Sequence, residues 1–198
     1  MPIEDVLADP PGASGEVVVR KAVMHDIHPI LDLINSYAAK GIMLPRTEFE
    51  MSENIRDFSV ALLAERLIGC GALHFYSPTM AEIRSLAVDE SFKTHGVGRR
   101  IIDALVREAV QYELDAVFAF TYVPAFFEKM GFEQVERGVL PLKAWKDCLR
   151  CPKFHSCDEI PMVRALRPEH WVRTRGQFTA QNESMAEDGY IQLPVLRG

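Results

Sequence analysis

Between Ser85 and Val106 an apolar, strand-like run gives way to a polar loop holding Gly96 and Gly98, and helical periodicity resumes at once. Strand, glycine loop and helix in that order form an arrangement in which backbone N–H groups and the positive end of a helix dipole converge on an anion. Glycine suits such a loop because a Cβ would hold an oxygen away from the backbone, and because the turn often needs a positive φ. Phosphate is the natural ligand, and Lys93, Arg99 and Arg100 add mobile positive charge around the same spot. On motif grounds alone a G-x-G pair is equally compatible with an ordinary strand-to-helix turn.

Composition narrows what surrounds that loop. With 198 residues, 48% hydrophobic and 25% charged, the chain can bury one substantial core, and its length suggests one domain. No apolar run is long enough to span a membrane. Residues 1–15 are acidic and rich in Pro and Gly where a secretory signal needs basic and then apolar residues, so they read as a disordered leader on a cytoplasmic protein. A net charge of -6 argues against a nucleic-acid binder and favours a small-molecule substrate.

The rest of the chain reads as alternating short strands and helices. A strand is expected at "EVVVRKA", then a helix with Ile27, Ile30, Leu31, Ile34 and Tyr37 on its apolar stripe, closed by Lys40-Gly41. Thr47 and Glu50 form a capping box for a second helix reaching about Arg56. "FSVALLAE" and "LIGCGALHFY" read as strands joined by a tight turn near Glu65-Arg66. In a third strand, "AEIRSLAV", strict alternation puts Ile83, Ser85 and Ala87 on one face and Glu82, Arg84, Leu86 and Val88 on the other.

After the glycine loop, Val97, Ile101, Ile102, Leu105 and Ala109 mark a helix ending near Tyr112. "DAVFAFTY" is the next strand, "PAFFEKMGF" a short helix opened by Pro124 and stopped by Gly131, and strands follow from Phe132 and at "EIPMVRAL". Residues 167–198 show no period and are expected to be irregular, either disordered or packed on a partner subunit of a homodimer through Trp171, Phe178, Tyr190, Ile191 and Leu193.

The P-loop pattern GxxxxGK[ST] is absent, and G-x-G-x-x-G fails after Gly98. Lys93-Thr94-His95-Gly96-Val97-Gly98 instead resembles the pyrophosphate loop of the GNAT superfamily of N-acetyltransferases, R/Q-x-x-G-x-G/A, with lysine at the first position. "FFEKMGF" resembles that family's second signature, and the likeness extends over residues 16–166. The resemblance implies a mixed α/β fold: a central, mostly antiparallel sheet, splayed at a cofactor notch and flanked by helices. It implies acetyl-coenzyme A as co-substrate and no metal for catalysis. The backbone of Leu86, Ala87 and Val88 would hold the pantetheine arm, and the loop from Lys93 and Thr94 through the amides of His95, Gly96, Val97, Gly98 and Arg99 would hold the pyrophosphate. Within the superfamily, "GIMLPRTEFEMSENIRDF", "GCGALHFY", "AEIRSLAV" and "WKDCLRCPKFHSCDE" resemble the short N-acetylglutamate synthases that lack a kinase domain.

That likeness directs attention to particular side chains. Glu82 stands at the family's glutamate position and is the expected base for the acceptor amine; a salt-bridged strand carboxylate is the alternative, and His74 is the rival base. Phe127 replaces the tyrosine that protonates the leaving thiolate in many relatives, so Tyr122, or else Thr121, is the expected donor; the alternatives are that the thiolate leaves unaided and that Tyr122 is a structural aromatic. Arg46 matches a substrate-binding arginine, and Arg84 would take a second carboxylate or pair with Glu82; Arg20 and Lys21 are weaker candidates. Cys148, Cys151, His155 and Cys157 read first as loop residues with free thiols, and secondarily as a zinc knuckle. Other acceptors (another amino acid, a polyamine, a peptide amine) and a non-catalytic acetyl-coenzyme A sensor are the competing readings.

Overall fold

The computed structural model describes residues 15–141, 153 and 156–187, with side chains to 184. The leader, Cys148, Cys151, His155 and the residues from 188 lie outside that range. In chain order the elements are β1 (Val18–Lys21), α1 (Ile27–Ala38), α2 (Glu48–Asn54), β2 (Phe58–Leu63), β3 (Arg66–Phe75), β4 (Met80–Val88), α3 (Val97–Gln111), β5 (Ala116–Thr121), α4 (Pro124–Glu128), β6 (Glu133–Gln134), β7 (Ile160–Ala165) and α5 (Pro168–Glu187). The strands form one seven-stranded mixed sheet in the order β1-β2-β3-β4-β5-β7-β6. β4 and β5 run parallel, while β1–β2, β2–β3, β5–β7 and β6–β7 are antiparallel. The chain divides into two compact units, the first comprising residues up to Ala72 together with Ser85–Leu105, the second Leu73–Arg84 together with the residues from Val106.

In the first unit, α1 buries Ile27, Ile30, Ile34 and Tyr37 against Val60, Cys70, Ala72 and Ala87. The capping box forms as the sequence predicts: Glu50 N donates to Thr47 Oγ1 at 3.2 Å, and Thr47 N donates to Glu50 Oε2 at 2.9 Å. The β2–β3 turn sits one residue earlier than expected, at Ala64 and Glu65, whose φ values of 46° and 66° are those a tight hairpin turn requires. On β3, a Cβ at Gly71 would come within 2.9 Å of Ile101 Cγ2, so glycine is what lets α3 approach the strand.

β4 is not regular throughout. Ser85 has φ of 54°, a left-handed residue inside a strand. Leu86 reaches toward Gly71 alongside Ile101 and Leu105, while Ala87 joins the cluster of Cys70 and Ala72.

In the second unit, Met80, Ala116, Phe118, Leu140, Val163 and Trp171 form the core. The expected irregular stretch from 167 is corrected: Pro168–Glu187 is a 20-residue helix. It docks on its own chain through polar contacts. Thr174 Oγ1 donates to buried Asp115 at 2.6 Å, Arg167 pairs with the same carboxylate at 2.8 Å, and Asn182 Nδ2 donates to the carbonyls of Gly138 and Leu140. Trp171, Thr174, Phe178 and Asn182 follow helical spacing, but two of the four are polar, so a search for apolar periodicity passes over them. Thr174→Val is expected to cost about 1–3 kcal/mol, because it removes a donor from a buried carboxylate. A lowered urea midpoint with unchanged m-value would register it; an unchanged midpoint would mean that the bond adds nothing to docking.

Candidate active site

The end of β4 and the following loop are fixed by several bonds within the first unit. Tyr37 Oη donates to Val88 O at 2.5 Å, and Asp89 N donates to Ile68 O at 2.8 Å. The Asp89 carboxylate caps Ser91 N at 3.0 Å and pairs with Arg66 at 2.7 Å, which starts a 3-10 turn, Glu90–Phe92, that buries Phe92. His95 N returns to Phe92 O at 3.1 Å. Gly96 follows with φ of 71°, and a Cβ built there would meet nothing within 4 Å. Val97 is fully buried and anchors the start of α3. The amides of Val97, Gly98 and Arg99 fall in the first turn, where a helix offers them no acceptor of its own. First-turn amides of this kind are groups to which an anion can bind.

The basic side chains around the loop are already engaged. Lys93 Nζ lies 3.7 Å from Glu90 and 5.0 Å from the centre of the Tyr37 ring, and the Tyr37 hydroxyl, with Glu90, holds its pKa above the ordinary lysine value. Lys40 pairs with the same Glu90 at 2.7 Å. Arg99 faces Asp103 at 3.7 Å, Arg100 reaches Val17 O at 3.5 Å, and Thr94 Oγ1 sits 3.5 Å from His95 Nδ1.

Arg46 is placed by a device that the sequence reading missed. Asn35, on α1, accepts from Arg46 N at 3.0 Å and donates to Arg46 O at 3.1 Å, clamping the loop just ahead of the α2 cap. An Asn in the middle of a helix was the available signal, since its amide competes for backbone groups. Arg20 is committed elsewhere, with two bonds to Asp26 at 2.7 and 3.0 Å that hold the Asp26 carboxyl below the usual carboxylate range. Lys21 lies exposed on the edge strand β1.

In the second unit, Glu82 is 9% exposed and stands opposite Phe118 at the last rung of the β4–β5 ladder, which carries three pairs among the described residues. Arg84 and His74 are half-buried, and the His74 ring meets Tyr76 edge-on at 5.0 Å. Tyr122 follows β5 and is 37% exposed. Partial burial and then the nearby Glu159 raise its phenol above the ordinary value, so it is protonated at neutral pH and able to donate. Thr121 Oγ1 is buried and accepts from Val123 N at 3.0 Å, which ties it to the turn. Phe127 is core, packed edge-on against Phe126 and Phe132 at 5.5 and 5.2 Å. Cys157 receives Arg137 Nη2 at 3.4 Å, and no group of three metal-ligating side chains occurs among the described residues.

Residues 26–132, more than half of the chain, match the acetyltransferase (GNAT) family. The chain belongs to that family. This GNAT domain is 40% identical, over 77% of its length and 99% of the relative, to an uncharacterised N-acetyltransferase of Chlorobaculum tepidum. It is 37% identical to an amino-acid acetyltransferase of Mycobacterium tuberculosis, over 60% of this chain and 70% of that one. Among solved structures, a Mycobacterium tuberculosis protein in complex with coenzyme A aligns at TM-score 0.66 and 30% identity, over 75% of this chain and 99% of its own. The N-acetylglutamate synthase of Neisseria gonorrhoeae, complexed with coenzyme A and N-acetyl-glutamate, aligns at TM-score 0.70 and 26% identity, over 77% of this chain but 36% of its own. The GNAT domain thus uses acetyl-coenzyme A as co-substrate, in keeping with the glycine loop.

Proposed function

We propose that this acetyltransferase acts on the α-amine of L-glutamate, the entry step of arginine biosynthesis, in the cytoplasm. What carries the choice of acceptor is the likeness to the Neisseria gonorrhoeae synthase solved with N-acetyl-glutamate. An α-amine is mostly protonated at neutral pH, so a base must take a proton before nitrogen attacks the thioester carbonyl. Glu82 is that base. As the new C–N bond forms and the C–S bond breaks, Tyr122 gives its phenolic proton to the departing sulfur. The amides of His95–Arg99 hold the pyrophosphate, the backbone of Leu86, Ala87 and Val88 holds the pantetheine arm, and Arg46 and Arg84 take the carboxylates of the acceptor.

Initial rates of acetyl-coenzyme A consumption across the twenty amino acids, a polyamine and a peptide amine test the reading. Glutamate is expected to be the best acceptor. A polyamine turned over faster would overturn the assignment, and cofactor binding without turnover on any amine would make the domain a sensor. Arg46→Ala is expected to raise KM for glutamate by about 10-fold or more while leaving KM for acetyl-coenzyme A nearly unchanged. Equal effects on both would make Arg46 structural.

A further inference from the structure

The segment leading into β7 brings a charged cluster against Tyr122. Lys153 Nζ donates to Tyr122 Oη at 3.5 Å and lies 4.9 Å from the centre of the same ring. Both Asp158 carboxylate oxygens accept from that ammonium at 3.2 Å, so the cation is held between phenol and carboxylate. Glu159 is next in the chain, and burial pushes its carboxyl above the ordinary value. Arg137 fixes this stretch by donating to the carbonyls of Cys157 and Glu159 while lying 5.5 Å from the centre of the Phe120 ring.

A thiol ordinarily loses its proton near pH 8.5 and a phenol near pH 10, so passing a proton from phenol to thiolate runs uphill by roughly 1.5 units. The partial burial of Tyr122 steepens that transfer, and a cation fixed at the phenolic oxygen offsets it. We propose that Lys153 is a positioning residue for proton donation to the leaving thiolate, orienting the Tyr122 phenol and stabilising the phenolate left behind. The inference rests on the reading of Tyr122 as the donor. In the step, the C–S bond of the thioester breaks, its electron pair goes to sulfur, sulfur takes the phenolic proton to become a thiol, and the phenolate regains a proton from water. The charged groups acting on Tyr122 are Lys153, Asp158 and Glu159; the two carboxylates strengthen its hold on the proton and the ammonium weakens it.

Lys153→Met, Lys153→Arg, Tyr122→Phe and the Lys153→Met/Tyr122→Phe pair test this, with NMR titration of the substrate-free protein carrying tyrosine labelled at Cζ. The Tyr122 resonance is the one lost in Tyr122→Phe. Lys153→Met is expected to move the Tyr122 titration to higher pH and to lower kcat by about 10-fold with KM for acetyl-coenzyme A nearly unchanged. Lys153→Arg should keep both close to the parent, and Lys153→Met should add no further loss in the Tyr122→Phe background. An unmoved titration, or an equal loss of kcat in that background, overturns the proposal. If Tyr122→Phe turns over glutamate like the parent, the donor reading falls and the role of Lys153 with it, while acetyl transfer to glutamate stands.

Discussion

Glu82→Gln is expected to lower kcat for glutamate by about 10²-fold with affinity for acetyl-coenzyme A nearly intact. Glutamine keeps the shape and much of the hydrogen bonding of a side chain that is 9% exposed, but loses its basicity. Chemistry then limits turnover, and raising the pH should recover part of the rate, because more glutamate arrives with its amine already deprotonated. A variant that is merely misfolded gains nothing from the same change. His74→Gln is the control: with its ring packed on Tyr76, it should leave the pH profile where it was. Should Glu82→Gln match the parent while His74→Gln fails, the base is His74.

Gly98→Asp is expected to weaken coenzyme A binding by about 10-fold or more, read by calorimetry, while thermal stability holds or rises. The two effects have opposite signs for one physical reason. An acidic side chain in the first turn of a helix complements the dipole and stabilises α3, yet it sets a like charge where the pyrophosphate would sit. A general folding defect would lower both quantities. Unchanged affinity with a raised melting temperature would remove the pyrophosphate from this loop.

Much of the fold was legible because it follows from local rules. The stripes Ile27–Tyr37 and Val97–Ala109 gave α1 and α3, and Thr47 with Glu50 gave the cap of α2. Pro124 and Gly131, the latter at φ 76°, bounded α4 and its exit. The glycine loop was legible for the same reason: Gly96 adopts a backbone conformation that few other residues tolerate, so the requirement is visible in the residue itself. The site side chains were legible only in part. Tyr122 and Glu82 were named from the family resemblance, but Asn35 and Lys153 carry no local signal strong enough to link them to Arg46 and Tyr122, which lie 11 and 31 residues away in the chain.

The sequence by itself determined most of the order of strands and helices and the left-handed turn at Gly96, since each depends on periodicity or on a φ that a few residue types supply. Tertiary structure alone decided the rest. Ser85 is left-handed although serine has no intrinsic preference for it, so the surroundings impose the break in β4. Lys93 is drawn to Glu90 and Tyr37 rather than left free at the loop, because Tyr37 arrives from a helix more than fifty residues earlier. The last helix is held because Asp115 and the carbonyls of Gly138 and Leu140 supply partners for its polar residues while Trp171 and Phe178 pack on the core. Hydrogen bonds and ion pairs between distant segments leave no period in the chain, so only the folded molecule reveals them.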